Sequence, residues 1–365
     1  MSKRILSMFF ALCFALSVFI PSALAAEDAK QLTLDDAIKM ALERNRDLKI
    51  QDLEVEKAEE TLDDSRTNVS KGNTPTSNLL ADQETVLNWT TYLSDETQYR
   101  IATKQLEALR QQMVVDVKTA YYDVLTAEKK LTTAEEALKL AKLQLQQARI
   151  KQEVGMSTKV EVQGVETSYQ NANKDLVAAT NALDEAKSKL ATLLGVSGSF
   201  DYSLVDNSKY EQVDFTSKDY VVAKALSQRV EIWAADRLAE VTDRLKDFAS
   251  NYKVGDIEAS IKDLEAGNAK DKMKQQVESL YLSLETLDEN YKTLEQNVKT
   301  LEEKNRVVNL QYEVGMATAL QKQQTEQEYK EKLQQMRELV YNYDIAKTQL
   351  QVLTGDDLVS HYNKK

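Results

Sequence analysis

The chain has 365 residues and a formal net charge of −12, from 59 acidic against 47 basic residues. An acidic chain repels phosphate backbones, and no basic stripe offsets the charge, so nucleic acid is excluded as a partner. One cysteine and one histidine, His361, exclude a disulfide framework, a Cys/His metal site and a nucleophile-histidine pair. With no Gly-rich phosphate loop, the sequence predicts no enzymatic activity, no metal and no cofactor.

The N-terminus has the pattern of a secretory signal peptide. Lys3 and Arg4 precede an apolar run over residues 5–20, and small residues follow up to Ala25. A retained transmembrane anchor is the alternative, but the run is shorter than the roughly 20 residues that a bilayer requires. We expect residues 1–25 to be removed with Cys13, which leaves an exported chain without cysteine.

The rest of the chain predicts long helices. Pro21 and Pro75 are its only prolines, so helices can continue almost everywhere. Apolar residues recur at alternating intervals of three and four in two segments, which is the spacing of a heptad coiled coil. These residues are Leu131, Ala134, Leu138, Ala141, Leu145 and Ala148, and then Leu284, Leu287, Tyr291, Leu294, Val298 and Leu301.

The two segments belong to an internal duplication. A shift of 160 residues superimposes Val117 on Val277, Tyr121 on Tyr281, Gly155 on Gly315, Leu190 on Leu350, Leu193 on Leu353 and Gly195 on Gly355. The earlier part of each half aligns at a shift of 184 residues, with ALERNRDLKI at 41–50 opposite ALSQRVEIWA at 225–234. The difference predicts an insertion in the first copy within residues 66–98, which begins with loop-forming residues.

The sequence therefore predicts an all-α fold of long antiparallel coiled-coil helices in two tandem repeats. Residues 26–197 form the first repeat, 198–217 a linker with one or two short strands, and 218–365 the second repeat. The predicted helices cover about 33–44, 46–68, 98–152 and 158–194, then about 217–226, 229–252, 270–312 and 318–353.

A glycine turn recurs at the end of the longest helix of each repeat, as EVGMST at 153–158 and EVGMAT at 313–318. Glycine can end one helix in a left-handed conformation, and Thr158 or Thr318 can cap the next. The retained Val and Met suggest a shared function for the two turns. Simple copying of a good turn is the alternative, and the residues alone do not separate the two.

These motifs resemble those of the outer-membrane factor family, the TolC-like export proteins. The resemblance covers nearly the whole mature chain, and no single motif carries it. It includes LTLDDAIKMALERNRDLK at 32–49, AYYDVLTAEKKL at 120–131 and the closing L-x-x-L-x-G at 190–195 and 350–355. The family's V-G-L-x-T turn corresponds to Val154, Gly155, Met156 and Thr158, and to Val314, Gly315, Met316 and Thr318.

The resemblance implies a homotrimer whose long helices form a hollow tube in the cell envelope. It also implies that the two turns dock a periplasmic adaptor, or membrane fusion protein, of an efflux pump or type I exporter with an inner-membrane pump. Export would then be passive. A secreted envelope scaffold or coiled-coil rod without transport activity is the alternative, and a closed oligomeric ring would distinguish the two.

The sequence departs from the family where each repeat should insert a β-hairpin for a membrane barrel. In the first copy only TVLNWTTYL, at 85–93, has the alternation of a membrane strand, and the start of the long third helix is the favoured interpretation. In the second copy 249–272 is charged throughout. We therefore expect the barrel strands to be reduced or absent, which leaves contact with a membrane open.

A second departure follows the turns. Family members commonly carry aspartates there, which form a cation-binding ring at the aperture of the closed tube. The corresponding residues are Glu161 in the first copy and Gln321 and Gln324 in the second. Because amides cannot select cations by charge, a ring of this kind would rest on Glu161.

Overall fold

The computed structural model describes residues 30–71, 79–198, 200–213, 217–246 and 251–362. The elements of the first half are β1 (Lys30–Leu32), α1 (Leu34–Arg44), α2 (Arg46–Lys71), α3 (Leu79–Glu153), α4 (Lys159–Leu193) and β2 (Tyr202–Leu204). Those of the second half are α5 (Lys218–Gln228), α6 (Val230–Leu245), α7 (Tyr252–Glu313), α8 (Ala319–Leu353) and α9 (Val359–Tyr362). The predicted signal peptide, 1–25, lies outside the described residues.

Two very long helices organise the molecule. α3 has 75 residues and α7 has 62, so at about 1.5 Å per residue they extend roughly 110 Å and 90 Å. The N-terminal part of α3 packs against α2 and α6, and its C-terminal part packs against α4 and α8. In the same way α7 packs first against α6 and then against α8. The molecule is an elongated layer of antiparallel helices.

The predicted heptad positions are the positions that pack. The six apolar residues from Leu131 to Ala148 are all buried or half-buried, as are the six from Leu284 to Leu301. Most of the residues between them are exposed. The helical fold class predicted from the sequence is therefore confirmed.

Three helix boundaries differ from those expected. α3 begins at Leu79 rather than near 98, so 85–93 is helical and the insertion lengthens the helices on both sides of 72–78. α6 ends at Leu245, and α7 begins at Tyr252 rather than near 270. The charged stretch of α7 is helical because its small residues Gly255, Ala259 and Ala266 are buried, on the part of α7 that packs against α6.

The core lies at the middle of the rod. One cluster packs α1, the centre of α3 and the end of α4 around Val117, Tyr121 and Leu190, and it also receives Val359 from α9. A second cluster packs α5, α7 and α8 around Val277 and other apolar residues. The C-terminal segment up to Tyr362 is thus packed on α1 and α3.

The linker crosses this middle region. Its strand β2 pairs in parallel with β1, with Leu32 opposite Leu204. The Tyr121 hydroxyl oxygen lies 2.8 Å from the carbonyl oxygens of both Leu32 and Val205, which share its single proton, and it accepts from the Val205 N–H at 2.9 Å. One buried tyrosine of α3 therefore holds both strands.

Candidate functional site

Each of the two glycine turns closes a helical hairpin at the same end of the molecule. The first, residues 154–158, joins α3 to α4, and the second, 314–318, joins α7 to α8; we call them the tips. The last tightly packed residues of the central core on α3 are near Ala127, so the first tip lies about 40 Å beyond the core. The tips are therefore the exposed ends of two long helical hairpins.

The first tip is a Schellman turn. Gly155 has φ +76°, and its N–H donates to the Gln152 carbonyl at 3.0 Å. The Met156 N–H donates to the Lys151 carbonyl at 2.8 Å. These two bonds satisfy carbonyl groups that the end of α3 would otherwise leave unpaired.

The second tip repeats this geometry at equivalent positions. Gly315 has φ +78°, and its N–H donates to the Tyr312 carbonyl at 3.1 Å. The Met316 N–H donates to the Gln311 carbonyl at 2.7 Å. The sequence-based prediction that glycine ends both helices in a left-handed conformation agrees with the structure.

Both following helices begin with a capping box. The Thr158 hydroxyl accepts from the Glu161 N–H at 3.2 Å, and the Glu161 carboxylate accepts from the Thr158 N–H at 2.7 Å. In the second tip Thr318 and Gln321 make the same pair of bonds, at 3.2 Å and 2.9 Å. Each box satisfies two N–H groups at the helix start.

The residues proposed for an aperture therefore have a local role. The pKa of Glu161 is lowered, mainly because its carboxylate accepts from the Thr158 backbone, and also because it accepts from the Ser157 hydroxyl. Gln321 occupies the equivalent capping position with a neutral amide. Gln324 lies one turn further along α8 and is exposed. Whether Glu161, Gln321 and Gln324 also line an aperture stays a prediction.

The tips expose apolar side chains that nothing in the described chain covers. Met156 and Met316 are 77% and 78% exposed. Val154, Val160 and Val314 are exposed as well. Four of these five residues belong to the two motifs, so the same Val and Met pair lies exposed at the end of both hairpins.

A groove separates the two hairpins near the tips. It lies between α3 and α8 and is lined by Leu140, Leu143, Gln323 and Gln327, among others. Within the groove Lys330 lies 3.5 Å from Glu136. No local pattern in the sequence predicts this groove, because the residues that form it are almost 200 positions apart.

The sequence also missed the polar cluster that joins the repeats at the middle. Asp344 of α8 accepts from Lys118 at 3.0 Å and from the Tyr122 hydroxyl at 2.7 Å. The Tyr122 ring stacks on Tyr341 at 4.4 Å between centroids, and the Tyr341 hydroxyl donates to Asp206 of the linker at 2.7 Å. The two stacked tyrosines lie 219 positions apart, so neither their stacking nor their acidic partners could be assigned from the sequence.

None of the described helices contains a stretch that is long and apolar enough to cross a membrane. Within the same residues no group of His, Cys, Asp and Glu is arranged to hold a metal ion.

Comparison with known proteins finds one family that matches part of the chain and several solved structures that share its fold. Residues 86–196 match a protein family described as outer membrane efflux protein. A comparison with curated proteins finds no significant match.

Several solved channel structures share the fold. The CmeC outer membrane channel of Campylobacter jejuni is 12% identical and has a TM-score of 0.65, over 89% of this chain and 86% of that chain. The open state of the Neisseria gonorrhoeae MtrE outer membrane channel is 17% identical, with a TM-score of 0.65 over 89% of each chain. The outer membrane protein VceC of Vibrio cholerae is 14% identical, with a TM-score of 0.58 over 88% and 96%. The resemblance to TolC-like proteins is thus confirmed at the level of the fold.

Proposed function

We propose that this chain is a TolC-like component of outer membrane efflux machinery, a passive helical conduit whose tips dock an adaptor. The observation that carries the proposal is the pair of equivalent tips at the ends of two long hairpins. Each tip presents an exposed Val and Met on a rigid turn. The match of residues 86–196 to the outer membrane efflux family supports the same conclusion.

The physical argument starts from the exposure of the tips. A soluble protein gains nothing by holding large apolar side chains in water at the ends of helices. Apolar residues presented on a preformed turn lose little conformational freedom when a partner covers them, so they suit a docking surface. We infer that this partner is a periplasmic adaptor, which connects the chain to an inner-membrane pump in the cell envelope.

The proposed assembly is a homotrimer. The layer of helices in one chain has two open edges, formed by α2 and α4 on one side and by α7 on the other. A heterologous contact between such edges either closes into a ring or continues as a filament. Closure into a ring of three would enclose the passage through which cargo diffuses, with no chemical step by the protein.

Photo-crosslinking in the native host tests this proposal. A photoreactive phenylalanine analogue is placed at Met156 or Met316, and at exposed Glu59 on α2 as the matched control. We expect both tip positions, but not the control, to crosslink a membrane-anchored adaptor that mass spectrometry identifies. Deletion of the gene should also raise retention of a fluorescent efflux dye.

Two results would contradict the proposal. One is equal crosslinking from the tips and from Glu59. The other is a deletion strain that exports every tested dye at the normal rate, which would favour an envelope scaffold instead.

A further inference from the structure

The methionines of the chain fall into distinct environments. Met113 and Met273 are 3% and 7% exposed and belong to the central core clusters. Met40 and Met336 are half-buried. Met156 and Met316, at the tips, are more than three-quarters exposed. Among the described methionines, only these two are largely exposed to solvent.

This exposure matters because the thioether is the most readily oxidised of the apolar side chains. Oxidation turns a flexible apolar side chain into a polar sulfoxide, and methionine sulfoxide reductases reverse it. With a hydroperoxide, a sulfur lone pair attacks the terminal oxygen. A sulfur–oxygen bond forms while the oxygen–oxygen bond breaks, the sulfur loses two electrons, and the peroxide is reduced to water or an alcohol.

We propose that Met156 and Met316 form a pair of reversible oxidation sites, at which a hydroperoxide makes the docking surface of both tips polar. The part of this proposal that concerns docking rests on the proposed function. The oxidation itself depends only on the two environments, since both sulfur atoms lie on convex turns far from the core.

The tip backbone would survive the modification. In each tip the methionine contributes its N–H to the Schellman turn, and these bonds do not involve the side chain. The left-handed backbone of the glycine and the cap that the threonine hydroxyl makes on the next helix do not involve the methionine side chain either. Sulfoxide formation therefore changes what the surface offers to a partner without unfolding the hairpin.

Oxidation kinetics test the proposal with hydrogen peroxide as the probe. The full-length mature protein is treated for increasing times, and peptide mass spectrometry follows each methionine. We expect Met156 and Met316 to oxidise at similar rates and roughly tenfold or more faster than Met113 and Met273, because buried sulfur must wait for opening of the core. In guanidinium the rates should converge. Equal rates in the native protein would overturn the proposal.

The change of surface is measured by retention on a phenyl hydrophobic-interaction column. Peroxide should shorten the retention of the native protein, and treatment with methionine sulfoxide reductases should restore it. The double variant Met156→Leu, Met316→Leu keeps the apolar volume without sulfur, so peroxide should leave its retention unchanged. An equal loss of retention in this variant would overturn the assignment to the tips.

A third measurement connects the chemistry to docking. With the photoreactive residue at Val154, peroxide should reduce adaptor crosslinking in the natural chain but not in the double leucine variant. Unchanged crosslinking of the oxidised natural chain would overturn the regulatory part. If no adaptor crosslinks at all, the proposed function fails, whereas the oxidation rates still decide the proposed chemistry.

Discussion

Gly155 and Gly195 share a left-handed backbone but have different surroundings. A Cβ built at Gly155 meets nothing within 4 Å, so only the backbone angle demands glycine there. A Cβ at Gly195 would lie 2.8 Å from the Arg44 carbonyl oxygen, because the end of α4 packs closely on the end of α1. Gly155 is required only for the left-handed backbone of its turn, whereas Gly195 is required both for its turn and for the close packing of the chain on Arg44.

Alanine substitution should separate these two roles. We expect Gly155→Ala to cost about 1–2 kcal/mol from the left-handed conformation alone. Gly195→Ala should cost about 1–3 kcal/mol more, because backbone at the clash must move. The pair Gly315 and Gly355 repeats the design, since a Cβ at Gly355 would lie 2.6 Å from the Gln228 Cβ. Urea unfolding measures the difference; equal losses within both pairs would contradict the assigned roles.

The two capping boxes should respond differently to acid. The pKa of Glu161 is lowered by the Thr158 N–H and the Ser157 hydroxyl. A carboxyl group with a lowered pKa stabilises the folded state above its unfolded pKa, and this stabilisation is lost as the pH falls through the folded pKa. The first tip should therefore loosen in acid. The second should not, because its capping residue is Gln321.

Hydrogen exchange at the tip amides, corrected for intrinsic rates, measures this difference between about pH 6 and pH 3, a range around the ordinary glutamate pKa. We expect the natural first tip to lose protection relative to the second as the pH falls. Glu161→Gln should remove this pH dependence and make the first tip behave like the second. An acid response that persists in Glu161→Gln would exclude the carboxylate as its source.

At the scale of elements, the contacts between α3 and α8 change in character along the seam between the repeats. Near the middle, the Lys118 and Asp344 side chains are only 13% and 25% exposed. Further toward the tips, Lys130 lies 3.8 Å from Glu338, with side chains that are 58% and 33% exposed. A more buried and a more exposed ion pair of one seam can thus be compared directly.

Asp344→Ala should destabilise the chain by about 2–4 kcal/mol, because it leaves the Lys118 ammonium and the buried Tyr122 hydroxyl without their shared acceptor. Glu338→Ala should cost about 0–1 kcal/mol, since water can solvate the exposed Lys130 ammonium that loses its partner. Urea unfolding of both variants provides the measurement. A Glu338→Ala loss as large as that of Asp344→Ala would mean that burial does not set the strength of this seam.

The packed faces of the long helices were easier to predict from the sequence than the positions at which these helices begin. Heptad spacing predicted the packed face of the two long helices, because the apolar residues of a coiled-coil face recur at short, regular intervals in the sequence. The helical interpretation favoured for 85–93 is correct, but the start of α3 was placed too late, near 98, because this stretch also has the β-branched and aromatic residues of a strand, and only packing against other helices decides between the two. The start of α7 was missed because its buried face consists of glycine and alanine, which carry little hydrophobic signal.

In the candidate site too, features set by a local motif were predictable from the sequence, whereas contacts between distant residues were not. Both tips follow from a local motif, in which glycine, threonine and the residue three positions later each have a defined backbone role. The contacts of Tyr121 with Leu32 and Val205 join residues more than 80 positions apart, so no local pattern reports them. The exposure of Met156 and Met316 likewise depends on the position of both turns beyond the core, which is a property of the whole fold and not of a local motif.

At the scale of the whole molecule, the free edge of α7 is unusual near its N-terminus. Val254, Ile257, Ile261 and Leu264 are exposed and follow heptad spacing. At about 100° per residue they lie on the opposite side of α7 from Gly255, Ala259 and Ala266, which are buried where α7 packs against α6. Further along the same edge the residues are mostly polar.

If the chain assembles as proposed, a second copy covers this stripe, because the edge of α7 is one of the two edges that ring closure must join. The double variant Ile257→Asp, Ile261→Asp places charges at its centre and should shift the mature protein from trimer toward monomer in light scattering. Thr286→Asp adds a charge to the polar part of the same exposed edge and is the matched control. Circular dichroism checks that all variants remain helical. A trimer unaffected by both variants would mean that other surfaces join the copies.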